Sequence, residues 1–266
     1  MLKDITIGQF YPVDSLLHKI DPRVKIIATF LFMLSLFVVN NFYGYLIVLA
    51  YLATVIAISK VPLKYMLKGL KPIFMIILLT FSLNIFLTPG EIVFKFSIFK
   101  ITKEGLYQGT FMALRLILLI IGTSILTLVT SPIKLTDGIE KLLDPFKKIG
   151  VPSHEIAMMM TIALRFIPTL LDETDKIMKA QMARGADFEK GGIIKKAKSM
   201  IPLLVPLFIS AFRRADELAM AMEARCYRGG NNRTRMKEIK IESRDYVALL
   251  FIAIYMIIII MFRFLF

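Results

Sequence analysis

The sequence has few of the side chains that build metal sites, disulfides or catalytic triads. It contains one cysteine, Cys226, and two histidines, His18 and His154, far apart in the chain. One cysteine excludes an intrachain disulfide, and two distant histidines argue against a metal cluster or a Ser/His/Asp triad. No glycine is followed by lysine, which excludes a phosphate-binding loop of the Gly-Lys-Ser/Thr type. We therefore expect a non-catalytic chain that has no cofactor and no metal.

Charged residues are missing from four long stretches, although 20% of the residues are charged and 57% are hydrophobic. The stretches are residues 26–59, 73–90, 105–132, in which Arg115 is the exception, and 246–262. The first would form a helix of about 51 Å, too long for a hydrocarbon core of about 30 Å, so it must turn near Asn40, Asn41 and Gly44. The pattern predicts an all-α integral membrane protein with about five transmembrane helices.

Acidic side chains are absent from all of these apolar stretches, which argues against a proton-coupled carrier. The first 25 residues carry several charges and no apolar signal-peptide core, so we expect no cleaved secretion signal and a cytoplasmic N-terminus. The formal net charge is +14. In so apolar a chain this excess indicates membrane topology and an acidic partner, and we expect no nucleic acid.

Lysine and arginine in short loops stay on the cytoplasmic side of a membrane, and this sets the predicted orientation. Between the second and third spans lie Lys60, Lys64, Lys68 and Lys71, with no acid among them. Residues 91–104 belong outside, and their alternation of apolar and polar residues is typical of a short hairpin or an edge strand. Five spans then leave the N-terminus inside and the C-terminus outside.

A long insertion precedes the last span. Residues 131–244 carry 21 Lys+Arg and 14 Asp+Glu, so we place them in the cytoplasm. The predicted layout is a membrane part with four spans (1–130), a cytoplasmic helical segment (131–244) and a last transmembrane helix (245–266).

Three helices are expected in this segment, at about 132–149, 153–185 and 195–225. The second and third are about 45 Å long and contain prolines, which remove backbone hydrogen bonds and clash with the preceding turn. We therefore expect bends at Pro168 in the second helix and at Pro202 and Pro206 in the third. Long kinked helices outside the bilayer are typical of levers.

An arginine between small residues ends each of the two long helices. The first end is Ala183-Arg184-Gly185, and the second, 41 positions later, is Ala224-Arg225-Cys226. A cation in the last turn interacts favourably with the helix dipole, worth about 0.3 to 1 kcal/mol, which requires no partner. The small neighbours favour a second interpretation, in which each guanidinium enters a pocket on another protein and pairs with a carboxylate.

Two further features have alternative interpretations. Met158, Met159, Met220 and Met222 suit close helix packing, which is the commoner use of such residues, or an adaptable docking surface. Arg115 lies ten residues into its span. It is either a functional charge inside the membrane or a side chain that extends toward the outer face.

Several segments together resemble the transmembrane, or T, component of energy-coupling factor (ECF) transporters, the vitamin-uptake relatives of ABC importers. The resemblance covers nearly the whole chain and rests above all on the paired arginine motifs, of which the second has Cys226 where the first has Gly185. The other matching segments are residues 8–12, 18–23, 113–115 and 163–168.

The resemblance implies a scaffold in a bacterial or archaeal cell membrane whose cytoplasmic helices are coupling helices. Arg184 and Arg225 would each dock into one of two ABC-type ATPase subunits, which hydrolyse the ATP. The apolar helix faces, with the four methionines as contacts, would hold a substrate-binding membrane protein, the S component. Closing of the ATPase pair would draw the arginines together and reorient the S component. The opening segment and the length resemble the shared T component that serves many S components.

Three alternatives remain open. An ordinary ABC permease would show a Glu-Ala-Ala motif followed by a spaced glycine, whereas Glu223-Ala224 precedes Arg225 here. A T component dedicated to cobalt or nickel uptake would share the fold. A membrane scaffold without an ATPase partner would have the same composition. The sequence names no transported vitamin or metal.

Overall fold

The computed structural model describes residues 10–96, 99–186, 188, 192–230 and 239–265, with side chains except at 93–96, 99–100, 193, 195 and 197. Helices dominate the described residues, and the predicted all-α membrane protein is confirmed. Gly8 and Gln9, which belong to the opening segment of the resemblance, lie outside the described residues. The chain divides into two compact units, a membrane unit of residues 8–138 and 238–266, and a second unit that includes residues 139–237.

Each of the four apolar stretches overlaps at least one helix. In chain order they are α1 (Leu16–Lys19), α2 (Pro22–Val38), α3 (Phe42–Ser59), α4 (Leu63–Lys68), α5 (Phe74–Leu87), α6 (Lys103–Val129), α7 (Pro132–Leu143), α8 (Ser153–Ala183), α9 (Ile193–Ala224) and α10 (Ser243–Leu265). The predicted turn separates α2 from α3, where Asn41 is the N-cap residue. The predicted hairpin is present as antiparallel strands β1 (Ile92–Phe96) and β2 (Phe99–Thr102).

Four of these helices, α3, α6, α8 and α10, are long and apolar enough to cross a membrane by length and composition. The other two expected spans are shorter, since α2 has 17 residues and α5 has 14. α8 is the unexpected member, because the sequence places it in the cytoplasm. Its second half carries Asp172, Glu173, Asp175, Lys176 and Lys179, charges that a bilayer would have to bury. The cytoplasmic position of α8 stays a prediction.

α6 is central to the packing of the membrane unit, in which it contacts α2, α3, α4 and α5. Gly122 of α6 brings the backbone close to α2, because a Cβ at this position would overlap the ring of Phe32. Small residues at such contacts let helices approach where no hydrophobic effect drives them together. Phe32 continues into a buried apolar core with Leu36, Leu118 and Ile125.

Arg115 of α6 binds the connection between α2 and α3. Its Nη2 donates to the Val39 carbonyl and its Nε to the Tyr45 hydroxyl, both at 3.2 Å. The guanidinium also lies over the rings of Phe37 and Phe111, 5.4 and 5.0 Å from their centroids. These contacts give Arg115 a structural task, the joining of three helices, which the sequence did not suggest.

The second unit consists mainly of α8, with 31 residues, and α9, with 32. Both begin and end within two residues of the predicted bounds. α8 runs through Pro168, and α9 runs through Pro202 and Pro206, without interruption of the helix. The bends at these prolines stay predictions.

The single helix predicted for residues 132–149 is wrong in its second part. α7 ends at Leu143, and a 3₁₀ helix follows at Asp144–Ile149. Pro145 stands in the first turn of this 3₁₀ helix, where its missing N–H and fixed φ are tolerated. Ser153 then donates a hydrogen bond of 3.0 Å to Asp144, which ties the start of α8 to this turn.

Candidate functional site

The C-terminus of α8 is a complete Schellman motif with Arg184 at the C-cap. The N–H of Ala186 donates to the Gln181 carbonyl and the N–H of Gly185 to the Met182 carbonyl, each at 3.0 Å. Gly185 has a φ of 89°, the left-handed conformation that this motif requires. The chain therefore leaves the helix abruptly, one residue after the arginine.

The C-terminus of α9 repeats this arrangement residue by residue, with Arg225 at the C-cap. The N–H of Tyr227 donates to the Met222 carbonyl at 3.0 Å and that of Cys226 to the Glu223 carbonyl at 2.8 Å. Cys226 has a φ of 54°, so it occupies the left-handed position that Gly185 fills in α8. The two arginines thus have equivalent positions in two equivalent helix ends.

All six motif residues are exposed: Ala183, Arg184, Gly185, Ala224, Arg225 and Cys226. Among the described residues, neither guanidinium has a hydrogen-bond or ion-pair partner. A C-cap position is compatible with the dipole interpretation, and free exposure of both guanidinium groups is compatible with docking. The docking role of the six residues stays a prediction.

The structure adds a reason for the residue that follows each arginine. The sequence suggested small residues there because they leave space, but backbone conformation also acts on this choice. A positive φ costs a non-glycine residue about 1 to 2 kcal/mol, so Gly185 suits the turn and Cys226 is strained. For Gly185 the signal was visible in the sequence, as a glycine at a helix end. For Cys226 it was not.

The four methionines differ in how far their side chains are exposed. Met159 and Met220 are 59% and 62% exposed, whereas Met158 and Met222 are half-buried. The first pair is accessible to a partner and the second pair is less so, and the role of all four as contacts stays a prediction.

A larger apolar surface lies on α9. We call it the α9 stripe; its residues are Ile201, Leu204, Val205, Phe208, Ile209 and Phe212, each exposed by more than 40%. Their spacing of three and four residues places them on one side of the helix. The signal was present in the sequence, since residues 199–212 contain no charge.

A polar link joins α8 to α9. Ser210 donates to Oε1 of Glu173 at 2.5 Å, and Nη2 of Arg214 donates to Oε2 at 3.1 Å. The Arg214 and Glu173 side chains are 35% and 25% exposed, so the pair is half-buried. No pattern in the sequence indicates this contact, which joins residues 41 positions apart.

The segment at residues 18–23 forms a buried polar junction in the membrane unit. Asp245, at the start of α10, accepts the backbone N–H of Asp21 on one oxygen and that of Glu242 on the other, both at 2.7 Å. Asp21 in turn accepts from the Arg23 guanidinium, at 2.7 Å from Nη2. Lys25 donates to the carbonyls of His18 and Val129, each at 3.2 Å. The segment thus connects α2 with the ends of α6 and α10.

Both ring nitrogens of His18 have hydrogen-bond partners in this junction. Its Nε2 lies 3.0 Å from the Tyr11 carbonyl, which can only accept, so Nε2 carries the proton. Its Nδ1 forms a hydrogen bond of 2.7 Å with the Ser15 hydroxyl. Burial lowers the pKa of His18 below its ordinary value of 6.5, and the charges of Lys25 and Lys134 lower it further, against the hydrogen bond to Tyr11.

Known proteins match the chain over nearly its whole length. The CbiQ family, described as "Cobalt transport protein", matches residues 14–236. The energy-coupling factor transporter transmembrane protein EcfT of Clostridium kluyveri is 64% identical over 250 residues, 93% of each chain. The EcfT protein of Thermosediminibacter oceani is 61% identical over 247 residues, 93% of each chain. The EcfT protein of Bacillus subtilis is 50% identical over 246 residues, which are 92% of this chain and 93% of that protein.

The chain belongs to the family of ECF transporter transmembrane components. The resemblance to ECF transmembrane components is therefore confirmed. The prediction that the chain is a membrane protein of a transporter is confirmed as well. Membership in this ECF family places the chain among non-catalytic transporter components. It does not assign tasks to individual residues, so the roles of the arginines, prolines and methionines are taken up as proposals.

Proposed function

We propose that this ECF component is the scaffold of an ATP-driven importer of a vitamin or another micronutrient. It couples ATP hydrolysis in two ABC-type ATPase subunits to the reorientation of an S component in the membrane. The single observation that carries the proposal is the pair of equivalent helix ends, which present Arg184 and Arg225 in the same local geometry. Two equivalent ends suit two equivalent partner subunits.

Each arginine docks by pairing its guanidinium with acidic groups in a groove of one ATPase. The planar guanidinium forms two parallel hydrogen bonds with a carboxylate, which the lysine ammonium cannot do. Loss of one partner of such a buried pair costs about 2 to 5 kcal/mol, because the other charge stays buried without compensation. Hydrolysis itself takes place in the ATPases.

The S component docks on the apolar surface of the coupling helices. The α9 stripe, together with Met159 and Met220, offers an exposed apolar face of the kind that marks an interaction site. In this arrangement residues 131–244 are cytoplasmic, the N-terminus is inside and the C-terminus is outside. The bends at Pro168, Pro202 and Pro206 direct the two arms toward the ATPases.

Co-purification with variants of both arginines tests the proposal. The affinity-tagged full chain is extracted in mild detergent from its own cell, and bound ATPases and membrane proteins are identified and quantified by mass spectrometry. Wild type is expected to recover two ATPase subunits. Arg184→Glu with Arg225→Glu is expected to lose them, and single Lys replacements to retain only part of them.

Lys179→Glu with Arg213→Glu is the matched control, since it makes the same charge change at exposed positions of the same helices. It should leave co-purification intact. An active complex that contains the double arginine-to-glutamate variant would refute docking. If Lys serves as well as Arg and Ala costs under about 1 kcal/mol, the helix dipole explains the arginines.

The family description supports a second candidate, a T component dedicated to cobalt or nickel, in which the metal ion is cargo. Uptake of labelled vitamins and of cobalt by cells that carry or lack the gene separates the two. Loss of cobalt uptake alone would favour the second candidate.

A further inference from the structure

Glu173 holds one point of α9 from the middle of α8. Its two carboxylate oxygens bind side chains one helical turn apart, Ser210 and Arg214. Residues four apart lie on the same face of a helix, so the carboxylate is fixed along the axis of α9. On α8 the only attachment of this link is the Glu173 side chain itself. The link therefore resists sliding of the two helices while leaving the angle between them free to change.

The link is placed symmetrically with respect to the two terminal arginines. Eleven residues separate Glu173 from Arg184 in α8, and eleven separate Arg214 from Arg225 in α9. Eleven residues are about three helical turns, so each linking residue lies on nearly the same helix face as its arginine, about 17 Å away. The two arms beyond the link are equal in length.

Equal arms have a mechanical consequence. With arms of about 17 Å, a change of about 20° in the crossing angle moves the arm ends about 6 Å relative to each other. Arg214 contacts the carboxylate through Nη2 alone, whereas a two-bond fork would fix the orientation of the guanidinium. A single-bond contact of this kind holds the two helices at one point without fixing the angle between them.

We propose that Glu173, Ser210 and Arg214 form the pivot of the coupling helices and act as positioning residues for Arg184 and Arg225. This inference rests on the proposed function for its role in transport, but the pivot itself is a property of this chain alone. The pivot sets the separation of the two arginines and converts approach of the partners into rotation of one helix against the other.

Distance measurement tests the pivot without any partner. Spin labels are attached to cysteines at Ala180 and Ala221, exposed positions seven residues beyond Glu173 and Arg214, in a Cys226→Ser background of the full chain. The parent should give a narrow distance distribution. Glu173→Ala and Arg214→Gln should each broaden it or shift its centre by several ångström. Glu173→Arg combined with Arg214→Glu should restore it in part.

The neighbouring exposed residues provide the control, since Asp172→Ala and Arg213→Ala remove charges beside the link without touching it. They should leave the distribution unchanged. An unchanged distribution in Glu173→Ala, or an equal change in the controls, overturns the pivot.

The second measurement uses the complex with its ATPases. In Glu173→Ala the ATPases should still co-purify, because both arginines are intact, while transport per ATP hydrolysed should fall about tenfold. An unaltered ratio overturns the positioning role. Failure of the wild type to recover ATPases refutes the proposed function, and the distance measurement still decides the pivot.

Discussion

The backbone N–H of Asp21 donates a 2.7 Å hydrogen bond to the carboxylate of Asp245, 224 positions later in the chain. The second oxygen of Asp245 accepts the N–H of Glu242 at 2.7 Å. Asp245 is almost completely buried, so both donors depend on it. The start of α10 is thereby fixed to the start of α2, which gives the membrane unit a polar closure.

Asp245→Ala should lower the free energy of unfolding by about 3 kcal/mol, since one buried and one part-buried N–H group lose their acceptor. Asp245→Asn keeps one acceptor oxygen and should cost about half as much. Thermal unfolding in detergent measures both. Asp14→Ala, at a side chain that is 96% exposed, is the control and should have no effect. Equal stability of the Asp245→Ala and parent proteins would contradict the closure.

Arg115→Leu should lower the free energy of unfolding by about 2 kcal/mol or more, because the Val39 carbonyl and the Tyr45 hydroxyl lose a charged donor. Arg263→Leu removes a charge at the exposed end of α10 and should be neutral. Unfolding in detergent and transport are measured together. If Arg115→Leu keeps full stability but loses transport, the charge of Arg115 has a functional role instead.

The junction around His18 should weaken in acid. The folded state holds the pKa of His18 below 6.5, so between that lowered pKa and 6.5 the unfolded chain binds more protons than the folded one. Stability must therefore rise with pH through this window and be fully present above 6.5. Thermal midpoints measured from pH 8 to pH 5 test this. His18→Gln should flatten the dependence, and an unchanged slope in this variant would assign the dependence to other groups.

Removing the glycine after α8 should destabilise that helix end, whereas introducing a glycine after α9 should stabilise its end. Gly185→Ala places a Cβ at a φ of 89° and should cost about 1 kcal/mol or more, while Cys226→Gly relieves strain at a φ of 54°. Hydrogen exchange of the last turns of α8 and α9, followed by mass spectrometry, measures each end separately. Gly192→Ala is the control, since its φ of −69° accepts any residue. Faster exchange in Cys226→Gly would argue against strain.

The orientation in the membrane is tested by labelling with an impermeant thiol reagent. In a Cys226→Ala background, a cysteine at Asn41 should be labelled from outside intact cells, and one at Lys147 should be labelled only after lysis. Labelling of the Lys147→Cys variant in intact cells would contradict the predicted orientation and the cytoplasmic position of α8.

Local chemistry explains what could be predicted. Some features depend only on residues that are neighbours in the chain, so the sequence alone predicts them. These are the turn at Asn40 and Asn41, the hairpin within residues 91–104 and the bounds of α8 and α9. The 3₁₀ helix at Asp144–Ile149 was not predicted, although Pro145 is a residue that interrupts an α-helix. For α8, length and composition alone cannot separate a coupling helix from a span.

Contacts between distant residues could not be predicted in the same way. The link from Glu173 to Arg214 depends on which faces of two helices meet, and a single sequence does not contain that information. The junction of Asp21 with Asp245 has the same origin. The six motif residues were recognisable because their repetition is itself a sequence pattern, although the positive φ of Cys226 was not.

The C-cap position of Arg184 and Arg225 also determines what a docking surface must look like. A helix C-terminus carries partial negative charge on its last carbonyl groups, only a few ångström from the cationic side chain. A uniformly acidic patch would attract the guanidinium and repel the carbonyls. For the proposed docking, the complementary surface would therefore be mixed, with a carboxylate for the arginine and hydrogen-bond donors for the helix end. This mixture would distinguish the partner from any other acidic surface in the cell.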